Sequence, residues 1–243
     1  MLFRLPALFA LALLLPLAAP AQANPLGDLM RYSELPANDG AAAAYYPESA
    51  FNAGTGEYLA AWDADSAGPG ENEVYVQRIA KTGAQIGADH RVSTIGPEGD
   101  STRETFSAPA VAADPVNKRN LVVWASDHKD GTELEVYGQM LDATGNEIGT
   151  SDFSISGANS GTYYPEVAFN PGSAAQGDEE YLVVWTGQVK LAPVQWARRF
   201  DENGAKLGPS FQFSDPAQSG HGSLPRIAYN AAAGEYLVVW FSL

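Results

Sequence analysis

The chain of 243 residues contains no cysteine. That excludes a disulfide framework, a thiolate metal site and a thiol nucleophile at once. Positive charge is also scarce: 14 Lys and Arg stand against 29 Asp and Glu, a formal charge of −15. Such a balance excludes charge-driven binding to nucleic acid or to an anionic membrane surface. Only three histidines occur, His90, His128 and His221, with no metal-ligand spacing and no Gly-x-Ser-x-Gly nucleophile turn beside them. There is no phosphate loop and no dinucleotide fingerprint. Nor is there an uninterrupted apolar run long enough to span a bilayer, because Pro6, Pro16 and Pro20 break up the one candidate.

That first segment reads instead as an export signal over residues 1–23. Arg4 supplies the positive start, Leu8 to Leu15 is an uncharged apolar run, and Ala21-Gln22-Ala23 is a small-x-small cleavage pattern. No cysteine follows the cleavage site to carry a lipid. The expected destination is the periplasm or the exterior. With no disulfide to staple it, the mature chain from Asn24 must rely on burying apolar surface, and 45% apolar residues suffice for that.

One phrase is written four times. Its copies are Glu57-Tyr58-Leu59-Ala60-Ala61-Trp62, Asn120-Leu121-Val122-Val123-Trp124, Glu180-Tyr181-Leu182-Val183-Val184-Trp185 and Glu235-Tyr236-Leu237-Val238-Val239-Trp240. The tryptophans stand 62, 61 and 55 residues apart, a period that marks a repeat architecture. Each copy opens with a strand led by Pro47, Pro109, Pro165 or Pro225 and closed by Asn52, Asp114, Asn170 or Asn230. Proline at a strand's first residue costs no ladder bond, and Asn or Asp suits the turn that follows. The Trp phrase is apolar on both faces and is therefore expected to be buried on both.

A third strand places Tyr75, Tyr137 and Trp196 on one face together with Ile79, Leu141 and Phe200. A tight turn at Gly83, Gly145 and Gly204 comes next, then a second glycine four residues on at Gly87, Gly149 and Gly208. Four short antiparallel strands per repeat describe one blade of a β-propeller. The combination Asn-x-x-x-x-Glu-Tyr-Leu-Val-Val-Trp, Val-Tyr-Gly-Gln and Gly-x-x-x-Gly resembles the blade repeats of secreted bacterial β-propeller proteins. The resemblance covers nearly the whole mature chain and implies architecture, with no catalytic residue to transfer.

The expected fold is all-β, a propeller-type array of about four four-stranded antiparallel blades in a domain over 24–243. Blade repeats fall at 47–94, 109–156, 165–214 and 225–243. Residues 25–33 read as an orphan fourth strand, because Pro25-Leu26-Gly27 to Ser33 parallels Lys206-Leu207-Gly208 to Ser214. The last repeat is incomplete, so the sequence reads either as a ring with a short final blade or as a piece of a longer propeller.

Candidate chemistry gathers in the loops after the tryptophans, which differ most between copies. Asp63, Asp65, Glu71 and Glu73 put hard oxygen ligands at alternating positions, as calcium would require, although the full Asp-x-Asp-x-Asp-Gly pattern is missing. The other reading is a solvated acidic loop. Asp63 with Asp127 is the pair to consider for a glycosidase, in which two acids flank the scissile bond. Arg78 and Arg199 align, but Met140 breaks the series, so no three-arginine clamp forms. The expected function is an exported binding or scaffold module for a protein or carbohydrate ligand, without catalytic site or cofactor. The alternative is a carbohydrate-active hydrolase, and acids from several blades converging at one place would distinguish it.

Overall fold

A computed structural model describes residues 44–65, 72–94, 108–127, 134–157, 163–172, 178–189, 192–215 and 223–241. The expected signal segment and the orphan strand at 25–33 lie outside these residues. No helix occurs among them.

The first sheet is β1 (Ala44–Asn52), β2 (Glu57–Asp65), β3 (Asn72–Ala80) and β4 (Gln85–Arg91), paired in that order. The second is β5 (Ala110–Asp114), β6 (Arg119–Asp127), β7 (Leu134–Leu141) and β8 (Glu147–Ser154). The third is β9 (Tyr163–Asn170), β10 (Glu180–Val189), β11 (Ala192–Asp201) and the short β12 (Phe211–Gln212). A two-stranded sheet of β13 (Ser223–Asn230) and β14 (Glu235–Phe241) follows. Every pairing is antiparallel, and β1, β5, β9 and β13 pack side by side in sequence. The chain is an all-β propeller array of four-stranded blades, and among the described residues the last sheet has two strands.

The repeat is exact in register. Trp62 pairs with Tyr75, Trp124 with Tyr137 and Trp185 with Trp196. Each first hairpin is closed by an Asx turn. The Oδ1 atoms of Asn52, Asp114, Asn170 and Asn230 accept from the backbone N–H of Gly54 (3.0 Å), Val116 (2.8 Å), Gly172 (2.8 Å) and Ala232 (3.1 Å). The glycine turns behave as read from the sequence, with φ of 88°, 82° and 81° at Gly83, Gly145 and Gly204. Gly87 and Gly149 also have positive φ and sit where the β3–β4 and β7–β8 registers shift. Gln77 and Gln139, wholly buried, bridge those shifts: each donates Nε2 to carbonyls of the next strand, Ile86 and Ile148, at 3.2 Å.

Blade-to-blade packing explains why the central phrase is apolar on both faces. Tyr181, Val183 and Trp185 face back onto Leu121, Val123, Met140 and Ile155 of the second blade. Leu182 and Val184 face forward onto Tyr236 and Val238 of the last one. Polar groups lock the same seams: buried Asn52 donates Nδ2 to the carbonyls of Asp114 (3.2 Å) and Arg119 (2.9 Å). Gly138 permits close approach, since a Cβ there would lie 2.9 Å from Ile155 Cδ1 and 3.2 Å from Phe153 Cζ.

Two expectations need correction. The prolines do not open their strands: β1, β9 and β13 begin two or three residues earlier, and Pro47, Pro165 and Pro225 sit inside bulges. A bulge is one of the few places where a missing N–H is harmless within a sheet. The four tryptophans are also not equivalent. Trp62, Trp124 and Trp185 are buried, whereas Trp240 is 37% exposed. Its sheet has no third strand among the described residues, and packing rather than residue type decides burial.

Candidate functional site at the mouth of the inner strands

The bulges recur at one place. Tyr45 pairs with Asp63 and Glu48 with Ala61, so Tyr46 and Pro47 together stand opposite Trp62. Tyr164 and Pro165 stand likewise opposite Trp185, and Leu224 and Pro225 opposite Trp240. In all three the residue before the proline is left-handed, with φ of 50° at Tyr46, 53° at Tyr164 and 53° at Leu224. Bulky non-glycine residues pay about 1–3 kcal/mol for such a backbone, and outliers of this kind cluster at functional sites. The second blade, where Ala108-Pro109-Ala110 replaces the aromatic sequence, lacks this conformation.

The consequence is a set of exposed side chains at the same end of three inner strands. Tyr45, Tyr46, Tyr164 and Leu224 all project into solvent. One residue past each proline stand Glu48, Glu166 and Arg226. Arg226 of the last sheet forms an ion pair with Glu166 of the third, donating from Nη1 to Oε1. Burial pushes the Glu166 carboxyl up to about 7; Arg226 pulls it down, and the charge of Glu48 raises it further. Glu48 belongs to the first blade and Glu166 to the third, so acids from two blades meet electrostatically at this mouth. Glu48 itself is exposed.

The sequence already carried a signal for this site. Tyr-Tyr-Pro-Glu occurs twice, at 45–48 and 163–166, at equivalent places of the first and third repeats. Reading the prolines only as strand openers hides it.

The residues expected from sequence fall as follows. Asp63 is buried at the mouth end of β2, cross-strand from Tyr45. Asp65 and Asp127 are the last residues of β2 and β6. Glu71, His128 and His221 lie outside the described residues. Glu73 is buried, and its carboxylate accepts from Arg91 Nη1 at 3.2 Å and from the Ser93 hydroxyl, which ties β3 to the segment after β4. Among the described residues no three acids or histidines gather as a cation site. Arg78 and Arg199 pair with Glu57 (2.8 Å) and Glu180 (2.6 Å) of their own blades at the end away from the mouth, and Arg78 also donates Nη1 to the Thr144 carbonyl of the second blade at 2.9 Å. Those two glutamates are the first residues of β2 and β10.

No protein-family model and no curated protein matches this sequence. Several solved structures are similar to it at low identity. An endo-arabinase from Bacteroides thetaiotaomicron is 13% identical, with a TM-score of 0.49 over 80% of this chain and 68% of its own. A β-1,3-galactosidase of family GH43, solved with galactodeoxynojirimycin, is 11% identical with a TM-score of 0.47, over 83% of this chain and 72% of its own. An N-acetylgalactosamine deacetylase from F. plautii, in complex with blood group B trisaccharide, is 10% identical with a TM-score of 0.47, over 86% and 63%. The blade architecture itself is carried by the strand order and the repeated register. No helix among the described residues is long and apolar enough to cross a membrane.

Proposed function

We propose that the chain is an exported, carbohydrate-active propeller that engages a glycan across the mouth of its inner strands, with Glu166 as the proton-donating carboxyl of a hydrolytic reaction. The observation that carries this reading is the meeting of acids from two blades, one of them held near 7. A carboxyl titrating there is largely protonated in mildly acidic solution and half protonated near neutrality, so it can release its proton as a general acid must. Glu48 is the second carboxylate of the pair. The exposed tyrosines offer flat apolar faces with hydroxyls at their edges, the combination that suits a sugar ring. Asp63, beside Tyr45 at the same end, takes a supporting place in this reading; Asp127 ends β6 at the position that Asp65 holds in β2.

A catalytically silent module with the same ligand is the second reading. It is favoured by the Arg226–Glu166 ion pair, which gives the Glu166 carboxyl a structural partner. The two separate cleanly. The mature chain is incubated with soluble polysaccharides, and binding and release of reducing ends are measured for the wild type and for Glu166→Gln. Binding by both with release by the wild type alone supports hydrolysis. Binding without release supports the module, and absence of both overturns the glycan reading.

A further inference from the structure

The seam between the second and third blades and the seam between the third blade and the last sheet are built from the same two half-surfaces. The first seam, with Ala113 opposite Asn120, packs Val122 and Trp124 on Leu59 and Ala61 instead. The backward half carries an aromatic pair: Phe169 with Tyr181 (ring centroids 4.8 Å apart, tilted 53°) and Tyr229 with Tyr236 (4.9 Å, 56°). The forward half carries the Leu and second Val of the central phrase. Leu121 and Val123 sit under Tyr181, and Leu182 and Val184 under Tyr236. Each such Leu and Val is buried.

One unused copy of each half remains. On the first blade Phe51 and Tyr58 make the same pair (4.8 Å, 50°), yet they are 48% and 41% exposed. On β14 Leu237 and Val239 hold the forward positions, yet they are 64% and 52% exposed, with Phe241 beside them on the same face. The aromatic pair is therefore already in the geometry that the seams use, and the aliphatic half it fits is bare on the last sheet. Packed apolar side chains of this kind are strongly favoured to leave water.

We infer that a second copy of this chain docks head to tail, the Phe51–Tyr58 face of one copy seating on the Leu237–Val239 face of the next. The contact is heterologous, so it closes into a ring or propagates, according to the angle between copies. It is independent of the glycan reading, since it uses neither the mouth tyrosines nor Glu166.

The test is the mass of the mature chain in solution, by light scattering over about a hundredfold range of concentration. Wild type is expected to associate, and Phe51→Asp and Leu237→Asp each to be monomeric. Mixing the two variants restores one contact, because each retains the half that the other lost. A second measurement covers the case of a variant that fails to fold. The chain has no cysteine of its own, so Tyr58→Cys and Leu237→Cys on separate copies should form an intermolecular disulfide on mild oxidation. A monomeric wild type overturns the inference and assigns the bare faces to another occupant. So does association that survives Phe51→Asp, which would point to symmetric pairing of β14 edges.

Discussion

Replacing the repeated tryptophans one at a time separates what the repeat suggests from what the packing dictates. Trp124 is wholly buried, wedged between the first two blades with Leu59, Ala61, Val74 and Val76 around it. Truncation to Ala removes the ring from a seam that cannot collapse without moving a blade, so the cost is about 3–5 kcal/mol. For a domain of this size one kcal/mol moves the midpoint by roughly 2–4 °C, which makes the expected drop about 6–20 °C. Trp240 makes an edge contact with Phe213 (5.7 Å) but is partly exposed, so Trp240→Ala should cost about 1 kcal/mol or less. Trp124→Phe gives a finer check. The Trp124 indole N–H is buried without an acceptor, and removing an unsatisfied donor offsets about 1 kcal/mol of the lost volume. Thermal unfolding followed by circular dichroism reads all three. Equal shifts for Trp124→Ala and Trp240→Ala would refute the packing argument.

Other predictions concern the seams and the mouth. Glu166 has a raised folded pKa, so its contribution favours the fold at low pH and is lost as pH rises from the unfolded value near 4.5 through about 7; Glu166→Gln should flatten the fall in melting temperature between pH 5 and pH 8, and an unchanged slope would reject the assignment. Asn52→Ala removes two hydrogen bonds to carbonyls of the neighbouring blade, and urea titration should show a loss of about 1–3 kcal/mol. Gly138→Ala overpacks the seam against Ile155, with an expected cost of about 1–3 kcal/mol in the same assay. Millimolar calcium tests the acidic segment at 63–73: a thermal shift that Asp63→Asn and Asp65→Asn abolish would assign it as a cation loop, and no shift removes that reading.

Much of the fold was legible because each device is local. A hairpin glycine announces positive φ, an Asx residue announces its turn, and a phrase apolar on both faces announces a strand between two sheets. Register followed, since Trp62, Trp124 and Trp185 find their Tyr or Trp partners at the same offset. Burial at the last blade was not legible. Leu237 and Leu182 are the same residue in the same phrase, and only the neighbouring blade distinguishes them. The mouth was missed for a related reason. Its residues are equivalent by position but not by type: Tyr, Ala, Tyr and Leu precede the four prolines, and Glu, Ala, Glu and Arg follow them. A search for one repeated motif passes over a site made by its variation, and a backbone bulge leaves no mark in composition.

The strained tyrosines give the most direct test of the mouth as the functional site. Glycine adopts the left-handed backbone at positions 46 and 164 freely, so replacing both tyrosines relieves strain of about 1–3 kcal/mol at each, less the entropy glycine adds to the unfolded chain. A Tyr46→Gly/Tyr164→Gly variant should therefore melt no lower than the wild type while its calorimetric titration with soluble polysaccharides loses the binding heat that the wild type shows. Retention of that heat at the wild-type affinity would contradict the account.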